Sequence, residues 1–323
     1  MPAARRIAGG RLRPSCSVGP ALLLAGLGLS VVACTAIWPG PATAPARTQR
    51  PATPHSSIPA EGLPRLIVTL PDDGGATWWL TAPGEPSRRT AIKVPDSRAW
   101  LGPVAVDGTI ALVTPTSIVR TVLDGDALRP VTKTAVPEDR TIGGACMAGD
   151  GRLIAADAET YELLDLVPGE ARPFTDVPFT IGECAPLADG RTLVAVDGGG
   201  LLTIGADGDA TPIPGAHGRR LSGGGGRVAM TDPTATDGLA IVRQATITAT
   251  GELGPELGRV VGDPGRRLTR VQLSADGQWL AVTLVGVGDA QAQMQFYRVG
   301  DDRLTLAASS PIELDARLVI LPP

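Results

Sequence analysis

From residue 65 onward, short apolar runs alternate with turn residues, and the same turn recurs. Asp107-Gly108, Asp150-Gly151, Asp189-Gly190 and Asp276-Gly277 each lead into a run such as Ile110-Ala111-Leu112-Val113, Leu153-Ile154-Ala155 or Leu280-Ala281-Val282. Degraded copies are Gly225-Gly226-Arg227-Val228-Ala229-Met230 and Asp315-Ala316-Arg317-Leu318-Val319-Ile320. A second mark, glycine followed by an acid, stands at Gly84-Glu85, Gly125-Asp126, Gly169-Glu170, Gly208-Asp209, Gly251-Glu252 and Gly300-Asp301. Those glycines are spaced by 41, 44, 39, 43 and 49 residues. Glycine supplies the positive φ of tight hairpins, and the runs between the marks show no helical stripe. The pattern predicts an all-β chain made of repeated four-stranded sheets: a β-propeller of six blades, with seven as the alternative. Similar strands at both ends of this region, Arg65–Leu70 and Arg317–Leu321, predict that the two termini complete one shared blade and remove an open sheet edge.

The segment Leu273-Ser274-Ala275-Asp276-Gly277-Gln278-Trp279-Leu280-Ala281-Val282 resembles the L-S-P-D-G-x-x-L-A-V repeat of TolB-like and Trp-Asp-repeat propellers, with Ala275 in place of the proline. The resemblance implies the fold and not a function, because propellers host enzymes, scaffolds and sensors alike.

Residues 1–33 read as an export signal. Arg5, Arg6, Arg11 and Arg13 precede an apolar run from Val18 to Ala33, which is shorter than the ~18–20 residues of a comfortable membrane span. The run closes on Val31-Val32-Ala33-Cys34, which resembles the lipobox of bacterial lipoproteins. That resemblance implies a diacylglyceryl thioether on Cys34, and with it a membrane partner and an extracytoplasmic location. From Cys34 to Pro64 the chain is dominated by Pro, Ala, Thr and Ser. Such a composition buries too little apolar surface to offset its ordering entropy, and a mobile tether is expected there. The propeller domain is therefore expected over 65–323.

Composition narrows the chemistry. Two His in 323 residues leave little room for a histidine metal site or relay, and no cofactor or metal is expected. A net charge of -4 argues against nucleic acid, whose phosphates require a surplus of Lys and Arg. Cys146 and Cys184 occupy matching places in Thr141-Ile142-Gly143-Gly144-Ala145-Cys146 and Thr180-Ile181-Gly182-Glu183-Cys184. One repeat apart in an exported chain, they are expected to form a disulfide. Arg98, Arg140, Arg220 and Arg267 stand just ahead of expected inner strands, with spacings of 42, 80 and 47. Ringed around a channel mouth they would focus positive potential on an anionic ligand. Asp124-Gly125-Asp126 and Asp207-Gly208-Asp209 read as hairpin turns rather than calcium loops, Gly223–Gly226 as a blade turn, and Trp78-Trp79 as inter-blade packing. The function expected is that of a non-catalytic binding or scaffolding module on a lipid anchor, recognising a protein or an anionic ligand on a propeller face. The alternative is an extracellular propeller enzyme, a hydrolase or lyase on sugars, lactones or peptides, which needs clustered carboxylates or His at the channel.

Overall fold

Residues 62–72, 75–85, 88–167, 170–174, 183–196, 198–235, 238–263, 265–286 and 288–322 are described by the computed structural model. The expected signal, Cys34 and the tether up to Glu61 lie outside the described residues. The described strands form six four-stranded sheets. The first blade contains β1 (Leu66–Asp72), β2 (Gly75–Thr81) and β3 (Thr90–Ala91). The second contains β4 (Trp100–Val104), β5 (Ile110–Thr114), β6 (Ser117–Asp124) and β7 (Ala127–Ala135). The third contains β8 (Ile142–Met147), β9 (Leu153–Asp157), β10 (Leu163–Val167) and β11 (Glu170–Pro173). The fourth is β12 (Cys184–Pro186), β13 (Thr192–Ala195), β14 (Gly200–Ile204) and β15 (Ala210–His217), and the fifth is β16 (Arg219–Gly224), β17 (Arg227–Asp232), β18 (Leu239–Gln244) and β19 (Glu256–Val261). The sixth is β20 (Arg266–Leu273), β21 (Trp279–Gly286), β22 (Ala292–Val299) and β23 (Leu304–Ile312). The chain then returns as β24 (Arg317–Ile320), which pairs antiparallel with β1 and becomes the innermost strand of the first blade. This is a six-bladed propeller, closed by both ends of the domain as expected. It also corrects one assignment: Asp315–Ile320 is no copy of the turn and second strand, but the first strand of a blade whose second strand lies 250 residues earlier.

The two turn signatures fall at fixed places in the blade. Asp-Gly turns join the innermost strand to the second. In them Asp107, Asp150, Asp189 and Asp276 each accept a hydrogen bond from the backbone N–H two residues on, at 2.9, 3.0, 3.1 and 3.0 Å. Glycine-acid turns join the third strand to the fourth in the first, second, fourth, fifth and sixth blades, and Gly169 of the third lies outside the described residues. The fifth blade shortens the first kind of turn to Gly225 and Gly226, both at positive φ (53° and 71°). A Cβ on Gly225 would stand 1.9 Å from the Asp276 carbonyl oxygen, so this turn packs on the sixth blade's turn only as glycine.

Burial explains why the second strands read as unbroken apolar runs. Each sheet is covered on both faces by its neighbours, and the buried side chains fall into six clusters, one per seam between adjacent blades. Along β1, Leu66 and Val68 face the sixth blade while Ile67 between them faces the second. Trp78 and Trp79 on β2 divide in the same way, as expected for residues that alternate across a strand. The core is thus a ring of seams around an axis that the innermost strands leave open.

A buried carboxylate supports the third blade. Asp157, 1% exposed, accepts the backbone N–H of Glu159 at 2.8 Å and of Thr160 at 2.9 Å, and lies 3.6 Å from Arg140. Burial by itself would raise its pKa, but the two N–H donors, the Thr160 hydroxyl and the Arg140 charge together hold it below the ordinary value of 3.8. A carboxylate so depressed contributes stability above its unfolded pKa, and that stability is lost as pH falls through the folded value. Urea unfolding from pH 7 to pH 2 should therefore show Asp157→Asn about 1–3 kcal/mol less stable at neutral pH. The gap should narrow only below about pH 4, in the range where carboxylates titrate. A constant gap across the range would remove the titration from the explanation.

Candidate functional site

The six innermost strands β4, β8, β12, β16, β20 and β24 pack side by side in a closed circle around a central channel. They run in one direction, since neighbouring Asp-Gly turns meet: a Cβ on Gly149 would clash with Gly190 and Arg191 of the next blade, and one on Gly224 with Ser274. The channel encloses about 790 Å³, within the range of small-molecule sites.

Strand pairing shows which residues share a level in this channel. Trp100 lies opposite Val113, Gly144 opposite Ala156, Arg270 opposite Thr283 and Arg317 opposite Thr69. In the fourth blade the Glu183 carbonyl accepts the N–H of Ala195. In the fifth, Arg220 occupies the bulge where β16 shifts register between Arg219 and Ser222. Val113, Ala156, Ala195, Thr231, Thr283 and Thr69 stand at one height in the six second strands. Thr231 itself pairs with Arg219, and Arg220, the next residue in the bulge, is the one that lines the cavity; the layer around the channel is thus Arg220, Arg270, Arg317, Trp100, Gly144 and Glu183, in ring order. Three consecutive blades contribute arginine.

The electrostatics follow from that crowding. Arg270 is reached by water along the channel yet is surrounded by protein. Burial lowers its pKa first, and the positive charges of Arg317 and Arg220 lower it further, while Asp315 acts in the opposite sense. Two unit charges 4 Å apart interact by about 4 kcal/mol at an effective dielectric of 20, so a crescent of guanidinium groups is costly unless an anion offsets it. One is present: Glu183, 7% exposed, meets Arg220 at 3.4 Å. Arg220 holds a left-handed backbone conformation with φ 55°, a strained state for a non-glycine residue. From this bulge its guanidinium reaches Glu183. Arg270 is anchored differently, donating to the Ala316 carbonyl on the next blade. Arg317 has no ion-pair or side-chain hydrogen-bond partner among the described residues. Two buried polar atoms of this layer, Glu183 Oε2 and Trp100 Nε1, also lack partners.

The expected ring of Arg98, Arg140, Arg220 and Arg267 does not form. Only Arg220 lines the channel. Arg98 is exposed and pairs with Asp96 at 3.4 Å within its own loop. Arg140 reaches Glu162 at 2.8 Å, besides Asp157, and so fastens its loop to a turn of the same blade. Arg267 is exposed near the start of β20, three residues before Arg270. The register shift between Leu268 and Arg270 leaves Arg270, and not Arg267, level with Arg220. Counting back three residues from the ends of the innermost strands finds Arg270 from Leu273, Arg317 from Ile320 and Glu183 from Pro186, while the bulge in β16 puts Arg220 four before Gly224.

The cysteines meet as expected. Cys146 on β8 and Cys184 on β12 form a disulfide with Cα atoms 5.6 Å apart, linking the third blade to the fourth immediately beside Glu183. Gly223–Gly226 serves as the end of β16 and its turn, as expected. Among the described residues no group of three or more His, Cys, Asp or Glu is placed to hold a metal ion.

Fold and site together define a six-bladed propeller with an arginine crescent inside its channel. No protein-family profile matches the sequence, and no curated protein does. Solved structures are similar in shape. A TolB candidate from Agrobacterium tumefaciens is 11% identical over 81% of this chain and 99% of its own, with a TM-score of 0.50. Virginiamycin B lyase from Staphylococcus aureus is 11% identical over 79% of this chain and 94% of its own, at a TM-score of 0.45. The WD40 domain of Toxoplasma gondii coronin is 11% identical over 79% of this chain and 68% of its own, at 0.43. Similarity at these identities is similarity of fold.

Proposed function

We propose that the chain is an extracytoplasmic lipoprotein, anchored through a diacylglyceryl group on Cys34, whose propeller is a non-catalytic module that binds an anionic ligand in its central channel. The observation that carries the reading is the convergence of Arg220, Arg270 and Arg317 on one cavity large enough for a small molecule. A preorganised cluster of guanidinium groups in a concave, protein-walled site attracts and orients carboxylates or phosphates. An acid-base enzyme needs its carboxylates converging on one reacting atom. The two acids among the described lining residues, Glu183 and Asp107, belong to opposite ends of the innermost strands, which favours binding over hydrolysis or lysis. The lipobox and the Pro-rich tether support the anchoring half of the proposal.

The test is calorimetric titration of the detergent-solubilised full chain with sulfate at low ionic strength. The parent should bind, and the Arg270→Gln/Arg317→Gln double variant should bind at least about tenfold more weakly, since charge-assisted contacts supply the affinity. A parent that binds no sulfate, or a double variant that binds equally well, contradicts the reading. In detergent phase partition the parent should enter the detergent phase and Cys34→Ser the aqueous phase; a parent found in the aqueous phase would refute the anchor.

A further inference from the structure

Charge counting around the channel takes the proposed function one step further, to the class of ligand, and rests on that reading. The described lining residues include four arginines, Arg120, Arg220, Arg270 and Arg317, and two acids, Asp107 and Glu183. Arg120 and Asp107 attract one another, and Arg220 is paired with Glu183. That leaves Arg270 and Arg317, on neighbouring blades, as the uncompensated pair. Asp315 is exposed, so water and salt screen it. Glu183 is the independent sign of a built site. Its carboxylate is buried within the arginine layer, one oxygen holding Arg220 and the other, Oε2, having no partner. A buried carboxylate among guanidinium groups is costly to desolvate, and its effect on a ligand is to subtract one positive charge from the crescent.

We propose that the channel selects a compact organic dianion, a dicarboxylate or a phosphomonoester, whose two charges are met by Arg270 and Arg317, and that Glu183 sets this charge by neutralising Arg220. Monoanions leave one guanidinium unmet. Trianions meet the repulsion of Glu183, so that the site discriminates by charge as well as by attraction.

The experiment titrates the full chain with acetate, succinate and citrate at pH 7.5 and low ionic strength, with sulfate as the reference anion. Succinate should bind at least about tenfold more tightly than acetate, and citrate no more tightly than succinate, because each unmatched charge costs on the order of a factor of ten. In Glu183→Gln the citrate-to-succinate preference should rise about tenfold as Arg220 is freed. Should that variant fail to fold, Arg220→Gln removes one cation instead, and the advantage of succinate over acetate should shrink by a similar factor. Arg98→Gln, outside the channel lining, should change none of these ratios. Absence of sulfate binding by the parent overturns the binding reading and this inference with it. Sulfate binding that depends on Arg270 and Arg317, with acetate, succinate and citrate bound alike, overturns this inference alone. So does a Glu183→Gln variant that folds and keeps the parent's ranking.

Discussion

A chain ending at Ala316 is expected to lose cooperative unfolding altogether. Removing Arg317 onward deletes β24 and its four pairings, Leu66 with Ile320 through Thr69 with Arg317. It also takes Val319, Ile320 and Leu321, each less than 5% exposed, out of the seams on either side of the first blade. At about 1.5–3 kcal/mol for each fully buried aliphatic side chain, the loss is roughly 4.5–9 kcal/mol before the exposed edge of β1 is considered. Whole domains are stable by only about 5–15 kcal/mol. The first blade would then present an unpaired innermost edge to the channel, a template for aggregation. Thermal unfolding followed by circular dichroism should change from one sharp transition to a broad or absent one, with soluble yield falling. Arg317→Gln is the matched control: it keeps the strand and should stay within about 1 kcal/mol of the parent, as exposed positions do, while losing anion affinity. A truncated chain that unfolds as sharply as the parent would mean that ring closure is dispensable.

The second large effect is expected at the disulfide. Cys146 and Cys184 are 38 residues apart, and closing a loop of that size stabilises by about 3–4 kcal/mol in the chain-entropy model. The Cys146→Ala/Cys184→Ala double variant should lose that much in urea unfolding, which for a domain of this size lowers the melting temperature by roughly 10 °C. Both sulfurs are removed together so that no free thiol confuses the comparison. Because Cys184 adjoins Glu183, loosening β12 against β8 should also blunt the discrimination between succinate and citrate. A stability change below about 1 kcal/mol, the size of an ordinary surface substitution, would show that adjacent innermost strands hold their places without the link.

The legibility of this architecture has a physical origin. A propeller repeats the same two problems in every blade, a tight connection from first to second strand and another from third to fourth. Asp accepting an N–H two residues on, and glycine at positive φ, solve them in a way that shows in the letters. The seams are legible as well, because sheets covered on both faces require uninterrupted apolar runs such as Ile110–Val113. The site was readable only in part. The spacing of Arg98, Arg140, Arg220 and Arg267 follows the loops ahead of the innermost strands, and those loops differ in length from blade to blade. Arg270 was hidden by a bulge that changes the count within β20, and Arg317 by its displacement to the far end of the chain. Glu183 carried no signal as a lone acid. Its meaning comes from the three blades that place arginines level with it.

The most direct measurement is an anomalous difference map from crystals of the full chain grown with selenate, a dianion whose selenium marks its own position. The account predicts a peak within the channel, at hydrogen-bond distance, about 2.7–3.2 Å between heavy atoms, from the guanidinium groups of Arg270 and Arg317. It also predicts that the peak disappears when both are replaced by glutamine. Selenate found only against outer arginines such as Arg98, with the channel free of it, would contradict the claim that the crescent is a binding site.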